Sequence, residues 1–208
     1  PYSKAVSPTG ALKGRARWAL AQADAVETNP ALLKGCSCAA GFELKADKAP
    51  NLVALLRRVR QSEKAYVKAG KEHWQRKRPF VDTQADICTE SARLRLSSSG
   101  AYPSGHTTWG WGTALVLAEL LPERSTALLQ RGRVYGESRI VCGVHWESDV
   151  QEGYLVGAAE IAAMHGDAAF RADMEAARAE MAQLKASSTA PNAQACAVEQ
   201  DAAQHSPL

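Results

Sequence analysis

The chain is expected to fold as one all-α domain, a helical bundle. Three observations carry this expectation. Alanine and leucine abound and alternating β-branched runs are scarce, which favours helix over strand. Apolar residues recur every three or four positions in several stretches. The length, 208 residues, suits one domain and can bury a sizeable core.

Residues 11–27 read as a first helix, ended by Asn29-Pro30. Residues 34–50 look irregular, with Gly35, Gly41 and Pro50. Asn51 can cap a long helix whose apolar face is Leu52, Leu55, Leu56, Val59 and Tyr66. It can run to Arg78, since Pro79 disfavours continuation. Residues 80–103 read as a long loop, and loops of that length in compact domains often carry function. Ser104 precedes a buried helix, Gly105 to Leu121, closed by Pro122. Another helix is predicted over 123–137, with Leu128, Leu129 and Val134 inward. Residues 147–165 look helical, with Tyr154, Leu155, Ala158, Ile161 and Ala162 toward the core. Phe170, Met174, Ala177, Met181 and Leu184 mark a last amphipathic helix. The domain is thus expected to occupy residues 1–186. Residues 187–208, rich in Ala, Ser, Gln and Pro with no helical stripe, are expected to be a disordered low-complexity tail.

Composition narrows the function classes. Hydrophobic residues make up 46% and charged residues 23%, ordinary for a globular chain. A formal net charge of +3 is too small to point to nucleic acid as a partner. No apolar run approaches the ~18–20 residues that span a bilayer. The start, Pro-Tyr-Ser-Lys, shows no signal peptide, and the simplest reading is a mature chain whose leader lies outside this numbering. The five cysteines leave at least one unpaired within the chain. Cys36 and Cys38 form a C-x-C rather than a zinc-type pair, so no metal site is expected. Thiols and one or two disulfides are both compatible with the pattern.

Three clusters carry chemistry. Lys71 and Arg78-Pro79 lie two helical turns apart, which places both cations on one face. Alone, they read more simply as a solvated basic face with Arg76 and Lys77. Tyr102-Pro103-Ser104-Gly105-His106 opens a helix, where free N–H groups and the positive dipole end suit an anion. Gly105 permits close backbone approach, Ser104 adds a hydroxyl, and His106 titrates near neutrality. A plain Ser cap explains this cluster equally well. Ser138-Arg139 precedes His145 and Asp149, an i, i+4 pair in which the carboxylate can fix the ring tautomer and leave the other nitrogen as nucleophile or base. Alone, that pair reads as a helix-start histidine with a surface aspartate.

Taken in order, Lys-x6-Arg-Pro, Pro-Ser-Gly-His and Ser-Arg-x5-His-x3-Asp resemble the three-part signature of the type 2 phosphatidic acid phosphatase (PAP2) superfamily. The stretches 100–106 and 136–150 closely resemble the class A bacterial non-specific acid phosphatases, with Ala101 and Glu147 as mild departures outside the catalytic set. The resemblance covers roughly residues 50–165. It implies a PAP2 / vanadium haloperoxidase-like bundle with the site at the ends of several helices. It implies that His145 attacks phosphorus to form a phosphohistidine, that Asp149 orients His145, and that His106 protonates the leaving alcohol and then takes a proton from water. Lys71, Arg78 and Arg139, with Ser104 and the Gly105 N–H, would hold the phosphate oxygens. Phosphoryl transfer needs positioning and charge stabilisation, and three cations with a helix N-terminus can supply both without a metal or other cofactor. Neutral His145 and protonated His106 together predict a bell-shaped pH profile on the acid side of neutrality.

The implied activity is hydrolysis of small phosphate monoesters of broad leaving-group range. A vanadate-dependent haloperoxidase shares the signature and is the alternative, and transfer of phosphate to alcohols is a conceivable side activity. A periplasmic or secreted location and homo-oligomers are also implied. Cys88 and Cys142 both lie near site motifs in sequence, which makes a bridge between them conceivable. Trp74, Trp109, Trp111 and Trp146 lie near the motifs too, and read as core more readily than as an apolar rim.

Overall fold

The computed structural model describes residues 9–83 and 85–208. Ten α-helices occur among them: α1 (Ala16–Asp24), α2 (Asn29–Ala40), α3 (Pro50–Trp74), α4 (Pro79–Thr83), α5 (Arg93–Ser97), α6 (Gly105–Leu120), α7 (Ser125–Val141), α8 (Glu147–Met164), α9 (Ala168–Ser187) and α10 (Ala193–Gln204). No strand occurs among the described residues, so the chain is all-α as expected.

α6 is the axis of the bundle. It is apolar nearly all round, and such a helix must be covered on every side. α7, α8, α3 and α9 cover it. Ser104 caps it, accepting from the Thr107 N–H at 3.3 Å. The α9 stripe from Phe170 to Leu184 is buried, largely against α3. At ~1.5–3 kcal/mol for each large side chain, such a face outweighs any local propensity. At its far end the Glu180 carboxylate accepts the Asn51 and Leu52 N–H groups, both at 2.9 Å, and so caps α3 from another helix.

The structure departs from the sequence reading at several places, and Tyr66, expected on the apolar face of α3, is exposed. Asn29-Pro30 starts α2 instead of ending α1, because proline suits a first helical turn and Thr28 provides the cap. The stretch expected to be irregular is therefore helical to Ala40, where Gly41 at φ 87° terminates it. α3 stops at Trp74, with Gln75 left-handed, and residues 75–78 run non-helically. Lys71 and Arg78 thus do not share a helix face. The 80–103 loop contains the short helices α4 and α5 over a small second core that includes Trp18, Phe80, Leu96 and Val144. On α8, Leu155, Ala158 and Ala162 face outward, and the buried face is Asp149, Val150, Gly153, Gly157, Glu160 and Ile161. A Cβ at Gly153 would lie 2.7 Å from Thr107 Cβ and 2.9 Å from the Ser104 carbonyl, so the glycine permits α8 to touch α6.

The tail departs as well. Residues 193–204 form α10, which packs on α7, α2 and α1. A disulfide joins Cys196 to Cys38 in α2, and Glu199 pairs with buried Arg131 at 3.2 Å. These ties order a segment whose composition alone would not. A second disulfide joins Cys88 to Cys142, and Cys36 is a buried free thiol.

Candidate active site

The three sequence clusters converge at one end of the bundle. The backbone itself joins them: Ala101 N–H donates to the Arg76 carbonyl at 2.8 Å, and Ser104 N–H donates to the Asp149 carbonyl at 2.9 Å. Arg78 Nη1 donates to the Val144 carbonyl at 3.0 Å. The resulting cavity has a volume of about 690 Å³ and is lined by Lys71, Arg78, Gly105, His106, Arg139 and His145, among others. Two expected site residues lie behind it. Asp149 backs His145, and Ser104 is fully buried with its Oγ accepting from Thr107. Gly105 is also a packing position, since a Cβ there would lie 2.8 Å from Val67 Cγ1.

His145 sits in the turn between α7 and α8 with both ring nitrogens engaged. Arg78 Nη1 is 2.9 Å from Nε2, and Asp149 Oδ2 is 3.2 Å from Nδ1. Arginine can only donate and a carboxylate can only accept, so these partners set the tautomer: Nδ1 carries the proton and Nε2 carries the lone pair. Burial, then Arg78, Lys71 and Arg139, hold the imidazole well below its usual range, so it stays neutral in mild acid. Asp149 is braced by two further donors, the Trp146 N–H at 2.8 Å and Arg76 Nη1 at 2.9 Å. Burial raises this carboxyl, and those donors oppose the rise.

His106 opens α6 and stacks on Tyr135, with ring centroids 4.4 Å apart and planes 8° from parallel. Neither of its buried nitrogens has a hydrogen-bond partner within the protein among the described residues. Its nearest anion is Glu27, whose Oε1 lies 3.6 Å from Nδ1, beyond direct hydrogen-bond length. The other Glu27 oxygen accepts from Arg60 at 2.9 Å. Burial, followed by Arg139, lowers His106 to about 4, and His106 in turn draws Glu27 down to about 2.

The cations show what the cavity lacks. Lys71 Nζ donates to the Gly100 carbonyl at 2.6 Å, and Arg78 also donates to Ser99. Buried Arg139 has only the Cys142 sulfur, at 3.8 Å, and its Nε is unpaired. None of the three meets a carboxylate at ion-pair distance among the described residues. Burial lowers all three, Lys71 to about 8 and Arg78 to about 10. Buried cations crowded together without anions are unfavourable until an anion enters. Among the described residues no group of three or more His, Cys, Asp or Glu side chains is placed to hold a metal ion.

Sequence reasoning missed two participants. One is Arg76, which in sequence reads as part of a solvated basic face. In the non-helical 75–78 segment it reaches the Asp149 carboxylate while Arg78 reaches His145. The Arg-x-Arg spacing was a usable signal only with the helix ended at Trp74. Glu27 comes from the turn between α1 and α2, and no local pattern links it to His106. Ser138, beside Arg139, is structural: it donates to Asp24 at 2.6 Å and ties α7 to α1. Trp109 is core, Trp74 is exposed, and none of the four tryptophans lines the cavity.

Comparison with known proteins gives the same frame. The family model of the PAP2 superfamily matches residues 59–171. An acid phosphatase of Zymomonas mobilis is 50% identical over 93% of this chain and 74% of its own length. A non-specific acid phosphatase of Providencia stuartii is 36% identical over 70% of this chain and 59% of its own length. One from Salmonella typhimurium is 36% identical over 82% of this chain and 69% of its own length. With the matched span running from within α3, through the three joined motifs, to the start of α9, the chain belongs to the PAP2 superfamily.

Proposed function

We propose that this protein is an acid phosphatase that hydrolyses phosphate monoesters through a phosphohistidine on His145, without a metal. The observation that carries the reading is the neutral His145 ring, with its Nε2 lone pair turned into a cavity of three carboxylate-free cations.

The ester phosphate would sit among Lys71, Arg78 and Arg139, beside the α6 N-terminus. That arrangement neutralises the charge that develops on its oxygens. Arg78 exchanges its contact with Nε2 for one with phosphate, which frees the lone pair. Nε2 bonds to phosphorus as the ester P–O bond breaks, and the His106 proton goes to the departing alkoxide. Asp149 accepts the Nδ1–H throughout and stabilises the positive charge on the phosphorylated ring. Water then attacks phosphorus, gives its proton to His106, and releases phosphate and neutral His145. Glu27 is a positioning residue that keeps His106 able to hold the proton.

The proton count explains why acid is needed. Free His106 is largely neutral above about 4, but bound phosphate is an anion that raises it. The reactive complex can equally form from neutral His106 and the ester monoanion, whose remaining proton leaves near pH ~6. Activity therefore declines above that pH. Two disulfides among the described residues support export to an oxidising compartment such as the periplasm. No helix among the described residues is long and apolar enough to cross a membrane.

The test is hydrolysis of 4-nitrophenyl phosphate at pH 5–6 in excess chelator, comparing wild type with His145→Ala. Chelator-resistant turnover lost in the variant supports the proposal. Turnover abolished by chelator, or kept by the variant, overturns it.

A further inference from the structure

The cavity is larger and more positive than one phosphate requires. At about 690 Å³ it falls within the ~300–1,000 Å³ of pockets that enclose whole small molecules. Nine lysine and arginine side chains line it against three glutamates, an excess of six, whereas an ester phosphate brings at most two negative charges. One glutamate counts for less still, because burial raises Glu63 to about 9 and keeps it neutral.

The surplus is not spread evenly. At the rim, Lys68 faces Glu72 and Lys77 faces Asp82, so both are compensated. Arg95 and Lys64 are not: both line the cavity, and neither has a carboxylate at ion-pair distance among the described residues. Arg95 extends from α5, in the segment that crosses the cavity's side, and its guanidinium makes no hydrogen bond among the described residues. Its field reaches the phosphate-binding cations, since it contributes to lowering Lys71, Arg78 and Arg139. An exposed arginine beside three buried cations is a repulsive arrangement that an anion relieves.

We propose that Arg95 of α5, with Lys64 of α3 lining the same cavity, forms a second anion subsite that favours phosphate esters whose leaving group carries its own negative charge. This rests on the phosphatase reading above and names the substrate class of the same site. His145 takes the phosphoryl group at the cavity floor, and the leaving group points outward to the rim. There a carboxylate or second phosphate meets Arg95, whose planar fork matches either group.

The test compares phenyl phosphate with 4-carboxyphenyl phosphate at pH 6; the charged ester also has the better leaving group, so the readout is how Arg95→Gln changes the ratio of the two. Wild type is expected to show a higher kcat/KM for the charged ester. Arg95→Gln is expected to lower kcat/KM for that ester about fivefold, the scale of one exposed charge pair, and to change phenyl phosphate less than twofold. Raising the salt to ~0.5 M should shrink the wild-type preference. Equal losses on both esters would show that Arg95 only strengthens the general field, and no loss would show that it is a solvated side chain. Either result overturns the subsite. Failure to hydrolyse either ester would instead overturn the phosphatase reading.

Discussion

At the residue scale, the proposed chemistry depends on two histidines whose surroundings differ. His145 is kept neutral by burial and three cations and is oriented by Asp149. Replacing Asp149 with Asn exchanges an acceptor-only carboxylate for a neutral amide that can also donate to Nδ1, so the tautomer is no longer fixed, and should lower kcat about 10²–10⁴-fold with little change in KM, measured by steady-state kinetics. His106 has a carboxylate nearby without direct contact. Glu27→Gln should lower kcat about tenfold and move the alkaline limb of the pH–rate profile to lower pH, while Glu27→Asp recovers part of the loss. A merely structural Glu27 would lower stability and leave the profile in place. The motif residues were legible because each cluster is local in sequence. Glu27 was not, because it meets His106 only after the α1–α2 turn folds onto α6, and Arg76 was hidden by a helix expected to run four residues too far.

At the element scale, the site depends on how closely α8 lies against α6. Gly153 makes that approach possible beside Ser104 and Thr107, and Asp149 lies one turn earlier on the same face. Gly153→Ala should destabilise by ~1–3 kcal/mol, the cost of overpacking. It should lower Tm by roughly 2–4 °C per kcal/mol for a chain of this size, read by thermal unfolding. An apolar run closed by Pro122 located α6, and periodicity located the α9 stripe, because one helix is apolar nearly all round and the other on one face. It misassigned the inward face of α8, since that face is made by glycines and carboxyl groups that no hydrophobic pattern marks.

At the scale of the whole molecule, buried charge and cross-links set the response to pH and reductant. The unfolded chain takes up a proton on each histidine near 6.5, whereas folded His106 does so only near about 4, and burial with the nearby cations also holds His145 well below its usual range. Stability present above pH 6.5 is therefore lost as pH falls toward 4, by an amount on the order of 3 kcal/mol for His106. Glu27, held at about 2, extends the loss below pH 4.5. Buried carboxyls act the opposite way, since burial raises Glu63 to about 9 and Glu160 and Glu199 to about 7, and each adds stability as pH falls toward 4.5. Added inorganic phosphate should raise Tm more at pH 4.5 than at pH 7, because bound anion raises both histidines. The disulfides close spans of 54 and 158 residues, worth about 4 and 5 kcal/mol in a chain-entropy view. Cys36 is buried and its thiol is pushed up to about 12, so it is unreactive in the fold. Intact-mass analysis after alkylation should find no label on the native chain, one in denaturant, and five after reduction. The helical bundle was legible from composition and stripes, but the ordered tail was not. α10 has a weak apolar face and is held by Cys196 and Glu199, whose partners lie far away in sequence.

The proposed mechanism turns on covalent chemistry at His145, and a trapped phosphoenzyme would report it. Enzyme mixed with 4-nitrophenyl phosphate at pH 5–6 would be quenched in alkali after milliseconds, since phosphohistidine survives base and decays in acid. It would then be digested and mapped by mass spectrometry. One phosphoryl group is expected on His145, absent from His145→Ala. A phosphoryl group on another side chain, or wild-type turnover with no phosphoenzyme at any quench time, would contradict it.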